Sequence, residues 1–138
     1  MRSGLLVAAL LLGGCASAPP EAAPPGVRVE VVQADGAVQP PVFRWDAPVA
    51  ARVTVLRGPT VVWEVAEGDT SHGAQRRGPI VPPLTYGERY DRHLGPRPRV
   101  LVPPAALTPR TVYTVSVVGY DGTVYRGRFS VNERVDVR

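Results

Sequence analysis

The side chains able to do chemistry are few and poorly grouped. Among 138 residues there is one Cys, Cys15, and two His, His72 and His93. A four-ligand Cys/His zinc site cannot be assembled from that inventory. Glu88, Asp91 and His93 lie within six residues and offer two or three metal ligands. Arg89 and Arg92 are interleaved with them, however, and neutralise the negative field a cation needs. Asp69, Ser71 and His72 have the residue types of a nucleophilic triad. A triad needs members converging from separate elements, with the serine hydroxyl activated by the imidazole. Neighbours in one Gly-flanked stretch do not have that geometry. No Gly-rich phosphate loop, paired-carboxylate pattern or dinucleotide motif is present. The expectation is a non-catalytic chain without metal or cofactor.

Arginine is the exception to this sparseness. All sixteen basic side chains are Arg and none is Lys, a skew that GC-rich coding also produces. Residues 76–99 contain six of them, Arg76, Arg77, Arg89, Arg92, Arg97 and Arg99, against two acids, Glu88 and Asp91. From Cys15 onward the rest of the chain has one more acid than Arg, so the positive excess sits in this segment, with Tyr86 and Tyr90 interleaved. Guanidinium forks match phosphate and carboxylate bidentately. The six are therefore the candidate anion-binding set. The competing expectation is solvated loop charge, partly paired with strand acids such as Glu64. Trp45 and Trp63 have the ring area for stacking on sugars, but aromatics total only 7%. Trp63 shares a strand face with Val61 and Val65, so its indole is expected in the core.

The elements that must position these residues are short strands. A chain of this length is one domain, and sixteen Pro with fourteen Gly rule out a helical bundle. Residues 27–31 (VRVEV) alternate apolar and charged side chains, the period of a strand with one buried face. Residues 42–45, 52–56 and 60–65 are further strands, the last two joined through Gly58-Pro59 as a hairpin. Residues 66–79 are polar and Gly-rich and read as a long loop, and 99–102 form a strand closed by Pro103-Pro104. Residues 111–118 and 123–131 flank Gly119–Gly122, a hairpin signal with Asp-Gly in its turn. About seven strands at this spacing predict an antiparallel β-sandwich.

The N-terminal segment is expected to be processed. Arg2 precedes an eight-residue apolar run, Leu5–Leu12. A membrane-spanning helix needs about 20 apolar residues, whereas this run has the length of a signal-peptide core. Leu12-Gly13-Gly14-Cys15 then resembles the lipobox of bacterial lipoprotein precursors. That resemblance implies a cleaved leader over 1–14, lipidation of Cys15 with palmitate-class chains, and a membrane anchor. Ala16 stands where an Asp would resemble the inner-membrane retention signal, so the resemblance points to the outer membrane of a Gram-negative envelope. Residues 15–26 would be the lipidated Cys and a tether of Pro and Ala, and 27–138 the folded domain.

Within that domain, Leu107–Val117 (LTPRTVYTVSV) resembles the segment entering strand F of fibronectin type III domains. The resemblance spans roughly residues 38–131. It implies an immunoglobulin-like sandwich in which Trp45, Leu107 and Tyr113 are core residues and Val115 and Val117 continue the inward face. It also implies a tyrosine corner, the Tyr113 hydroxyl bonding a backbone acceptor near Leu107 or Thr108, with Pro109 holding the bend. The 79–98 connection departs from the family by its length, and the two Cys of a disulfide-bonded immunoglobulin domain are missing. The function expected is a membrane-anchored binding or structural module of the envelope. The alternatives are a binder of anionic glycan or lipid headgroups through the Arg-rich segment, or an accessory subunit of an envelope enzyme. The partners expected are the membrane, an envelope protein or an anionic glycan; nucleic acid is not one, because the chain is exported.

Overall fold

A computed structural model describes residues 26–31, 33, 34, 37–68, 78–90 and 96–137. Among the described residues there are ten strands: β1 (Arg28–Glu30), β2 (Gln33–Ala34), β3 (Ala37–Val38), β4 (Val42–Arg44), β5 (Arg52–Arg57), β6 (Thr60–Ala66), β7 (Leu84–Thr85), β8 (Arg99–Val102), β9 (Tyr113–Val118) and β10 (Val124–Phe129). They form a three-stranded antiparallel sheet β1-β4-β7, a five-stranded antiparallel sheet β10-β9-β5-β6-β8, and a small β2–β3 ribbon. The molecule is an all-β, sandwich-like domain. No helix among the described residues is long and apolar enough to cross a membrane.

The larger sheet follows from period-2 patterning. In β5, Val53 and Val55 are buried while Arg52, Thr54 and Leu56 alternate with them. In β9, Tyr113, Val115 and Val117 are buried and Thr114, Ser116 and Val118 lie between them. Residues on one strand face burying together is what such alternation encodes. β5 and β6 meet at Gly58-Pro59, and Gly58 has a φ of 55° that only glycine adopts freely. β9 and β10 meet at Gly119–Thr123, where Gly122 has a φ of 82°.

β6 breaks the alternation. Its register slips against β5, Val55 facing Trp63 but Leu56 facing Val61, so Val62 is the extra residue of a bulge. Val62 and Trp63 are consequently both buried. A second bulge, against β8, leaves Leu101 between the paired Val100 and Val102, and Leu101 is exposed.

Aromatic rings join the two sheets. Phe43 of β4 lies 6.4 Å from Trp63 of β6 and 5.5 Å from Phe129 of β10. Trp63 meets Tyr86 edge-on at 5.1 Å, and Tyr113 stacks on Phe129 at 5.4 Å. Fully burying each such side chain contributes about 1.5–3 kcal/mol, so this cluster holds the layers together. Leu107 and Val135 close the bottom of the core, exchanging two 2.9 Å backbone hydrogen bonds.

The 79–98 connection contains more order than its sequence suggests. β7 lies within it and pairs with β4, placing Leu84 opposite Phe43. Ile80 exchanges backbone hydrogen bonds of 3.0 and 2.8 Å with Ala50.

Candidate anion-binding site

Trp45, Leu107 and Tyr113 are buried, and Trp63 is fully so. The indole N–H groups of Trp45 and Trp63 have no hydrogen-bond partner among the described residues, and their position in the core gives neither ring an exposed stacking face. The Tyr113 hydroxyl contacts Thr108, with a polarity opposite to the expected one. It accepts from the Thr108 backbone N–H at 2.9 Å and lies 3.2 Å from the Thr108 hydroxyl. The backbone at this corner supplies a donor, not an acceptor.

Of the six candidate anion-binding arginines, Arg76, Arg77 and Arg92 lie outside the described residues, as do Cys15, Asp69, Ser71, His72, Asp91 and His93. Arg89, Arg97 and Arg99 come together. With Tyr90, Pro98 and Val100 they line a surface depression of about 440 Å³. Arg97 Nη1 donates to the Tyr90 carbonyl at 3.1 Å, which fixes its guanidinium over this surface. Arg89 and Val100 also border a neighbouring depression of about 360 Å³, with Pro103, Pro104 and Val137 as its apolar wall. Arg99, at the start of the edge strand β8, also borders a third depression, beside Arg52 and Glu67.

The acids near this surface are largely committed. Glu88 Oε2 accepts from the Thr85 backbone N–H at 3.3 Å, closing the turn after β7. Glu64 lies 3.3 Å from Arg52, which is diagonal to it on β5 with Thr54 directly opposite, so among the described residues the ion pair of Glu64 is with β5. Glu67 Oε2 is buried without a hydrogen-bond partner among the described residues.

Both interleaved tyrosines are largely buried, and of the two Tyr90 also lines the depression. Tyr86 is buried and donates its hydroxyl to the Ala105 carbonyl at 2.7 Å, with the Val62 carbonyl at 3.3 Å. Burial pushes its phenol well above the ordinary tyrosine range, and the neighbouring Tyr113 adds to the shift. Tyr90 is shifted the same way, by burial first and by the Glu88 charge second. Both rings therefore stay neutral and pin the connection to the core. Their spacing among arginines reflects strand-like burial, which a charge count along the chain does not register.

The charge count also passed over β10. There Tyr125, Gly127 and Phe129 turn toward the core while Val124, Arg126 and Arg128 are exposed. The Tyr-Arg-Gly-Arg-Phe alternation was the available signal. No family model, curated protein or solved structure matches this chain.

Proposed function

We propose that the chain is a lipid-anchored lipoprotein of the bacterial cell envelope, placed at the outer membrane, whose folded part is a non-catalytic binding or structural module of fibronectin type III-like kind. The observation that carries this reading is the order Arg2, Leu5–Leu12, Leu12-Gly13-Gly14-Cys15 and a Pro/Ala-rich spacer. Every member of the described core lies from Val27 onward.

Strand order supports the fibronectin-like assignment. With the β2–β3 ribbon set aside, the first, second and fifth strands share one layer, and the third, fourth and last two share the other. Immunoglobulin-like sandwiches group their strands in this way. β8 is an addition on the β6 edge. The contact of Tyr113 with Thr108 occupies the place of a tyrosine corner.

Lipidation has a direct test. Replacing Cys15 by Ser should move the protein from the membrane fraction to the soluble periplasm, because several acyl chains hold a protein far more firmly than surface charge does. Retention of the Cys15→Ser protein in the membrane fraction after a high-salt wash overturns the assignment.

A second reading, binding of an anionic glycan, is favoured by the gathering of Arg89, Arg97 and Arg99 at one depression. The triple change to Gln should weaken retention on an anionic polysaccharide, with the wild-type affinity falling steeply in salt. Equal retention of both proteins at low salt removes this role.

A further inference from the structure

The edge strand β10 combines three features that bear on one another. The first is where the chain enters the domain. Gly26 forms a parallel bridge with Arg126, and the Val27 N–H donates to the Arg126 carbonyl at 3.0 Å. Gly127 makes this approach possible, since a Cβ there would lie 2.5 Å from the Val27 carbonyl oxygen. The bridge is parallel, so Gly26 and Val27 run in the same direction as β10, whose Val124 end carries the hairpin turn.

The second feature is charge. Arg126 and Arg128 are exposed on the same strand face, about 7 Å apart by strand geometry. Neither side chain has an acidic partner among the described residues. Their neighbours across β9 are Ser116 and Thr114, followed on β5 by Thr54 and Leu56. The first carboxylate in the Arg126 row is Glu64, three strands away and paired with Arg52.

The third feature is the apolar tip. Tyr120, in the hairpin turn, is 41% exposed, and Val124, at the start of β10, is 39% exposed. Val124 faces Val118 across the hairpin. Asp121 is the one acid at this tip, and it is spent on the turn, accepting from the Thr123 N–H and hydroxyl at 2.9 Å each.

We propose that the β9–β10 hairpin tip and the outward face of β10, through Tyr120, Val124, Arg126 and Arg128, form a membrane-docking surface for an anionic phospholipid bilayer. This rests on the reading of the chain as lipid-anchored at Cys15. The twelve residues from Cys15 to Gly26 span at most roughly 40 Å, whereas surface charge acts over about 8 Å at physiological salt. A lipid anchor alone leaves the domain free to move out of electrostatic range. Entry beside Arg126 brings this face back toward the leaflet that holds the anchor. Arginines adjacent to an anionic leaflet are attracted to it, and an exposed Tyr suits the headgroup level. A soluble glycan would engage the arginines without any use for Tyr120 and Val124, so the mixed apolar and basic character favours the bilayer.

The test uses residues 16–138, which contain the whole described core and no acyl group. Binding is read by co-sedimentation with phosphatidylcholine vesicles, with and without phosphatidylglycerol, at low and high salt. The wild-type chain should bind only the phosphatidylglycerol vesicles, and high salt should release it. Arg126→Gln with Arg128→Gln should lower the partition coefficient roughly thirty-fold, and Tyr120→Ser should lower it by a smaller factor. Arg57→Gln with Arg110→Gln makes the same charge change off β10, at the end of the sheet away from the hairpin tip, and should retain most of the binding. Circular dichroism of each variant confirms the fold. Equal losses in the two double variants, or no binding to phosphatidylglycerol vesicles, overturn the proposal. Retention on dextran sulfate that depends on Arg126 and Arg128, without vesicle binding, reassigns the face to a glycan and also overturns it. Because no acyl chain is present, these results are independent of the Cys15→Ser fractionation, and either reading can fail without the other.

Discussion

At Tyr113 a single hydroxyl joins β9 to the segment that leads into it. The ring is fully buried against Phe129, and the oxygen accepts the Thr108 N–H. Tyr113→Phe keeps the ring packing and leaves that N–H without its acceptor. Thr108 is only partly buried, so water recovers part of the loss, and the expected cost is about 1–2 kcal/mol. A lowered urea midpoint with an unchanged slope is the expected result; an unchanged midpoint would make Tyr113 an ordinary apolar strand residue. That Tyr113 contacts this corner is what the resemblance of residues 107–117 to the segment entering strand F of fibronectin type III domains implies. Which atom donates does not follow from it, because that depends on how the backbone turns through Arg110, whose φ of 60° is left-handed.

At the scale of elements, the β9–β10 hairpin combines local turn chemistry with a role in the larger sheet. Asp121 is fully exposed, yet its carboxyl titrates below the ordinary range, chiefly because the charged form accepts the Thr123 N–H and, next, its hydroxyl. A carboxyl whose folded pKa is depressed contributes stability that is present above its unfolded pKa and lost as pH falls through the folded value. Asp121→Ala should therefore unfold at lower urea than wild type at neutral pH. The gap should close as pH is taken from the ordinary carboxylate range down through the depressed folded pKa. Urea midpoints across that window check it, and a gap that persists undiminished in strong acid would contradict a bond to the charged carboxylate. The β5–β6 hairpin shows how far such local reading extends. Gly58-Pro59 locates its turn, whereas at the Val62 bulge the carbonyl accepts from the Ala105 N–H at 2.9 Å, a partner distant in sequence.

For the whole molecule, the proposed lipid anchor at Cys15 and the described core are separate in the chain. The described core runs from Val27 to Val135, so the Cys15→Ser protein should be soluble and keep the unfolding midpoint of the anchored one. A domain that unfolds when released from the membrane would show that the anchor is part of its stability. The signal-peptide-like apolar run, the lipobox resemblance and the inward faces of β5 and β9 are legible in the amino-acid order because each depends on neighbours a few residues apart. Side chains alternate with a period of two, and turns need Gly, Pro or Asp at set positions. The gathering of Arg89, Arg97 and Arg99, the burial of Tyr86 and Tyr90, and the pairing of β7 with β4 were decided by tertiary structure. So was the meeting of Gly26 with Arg126, which puts the start of the domain against its last strand. Each of these joins residues on different strands, and antiparallel order and bulges set such distances through packing between layers. A count of charges along the chain contains no information about which strands lie side by side.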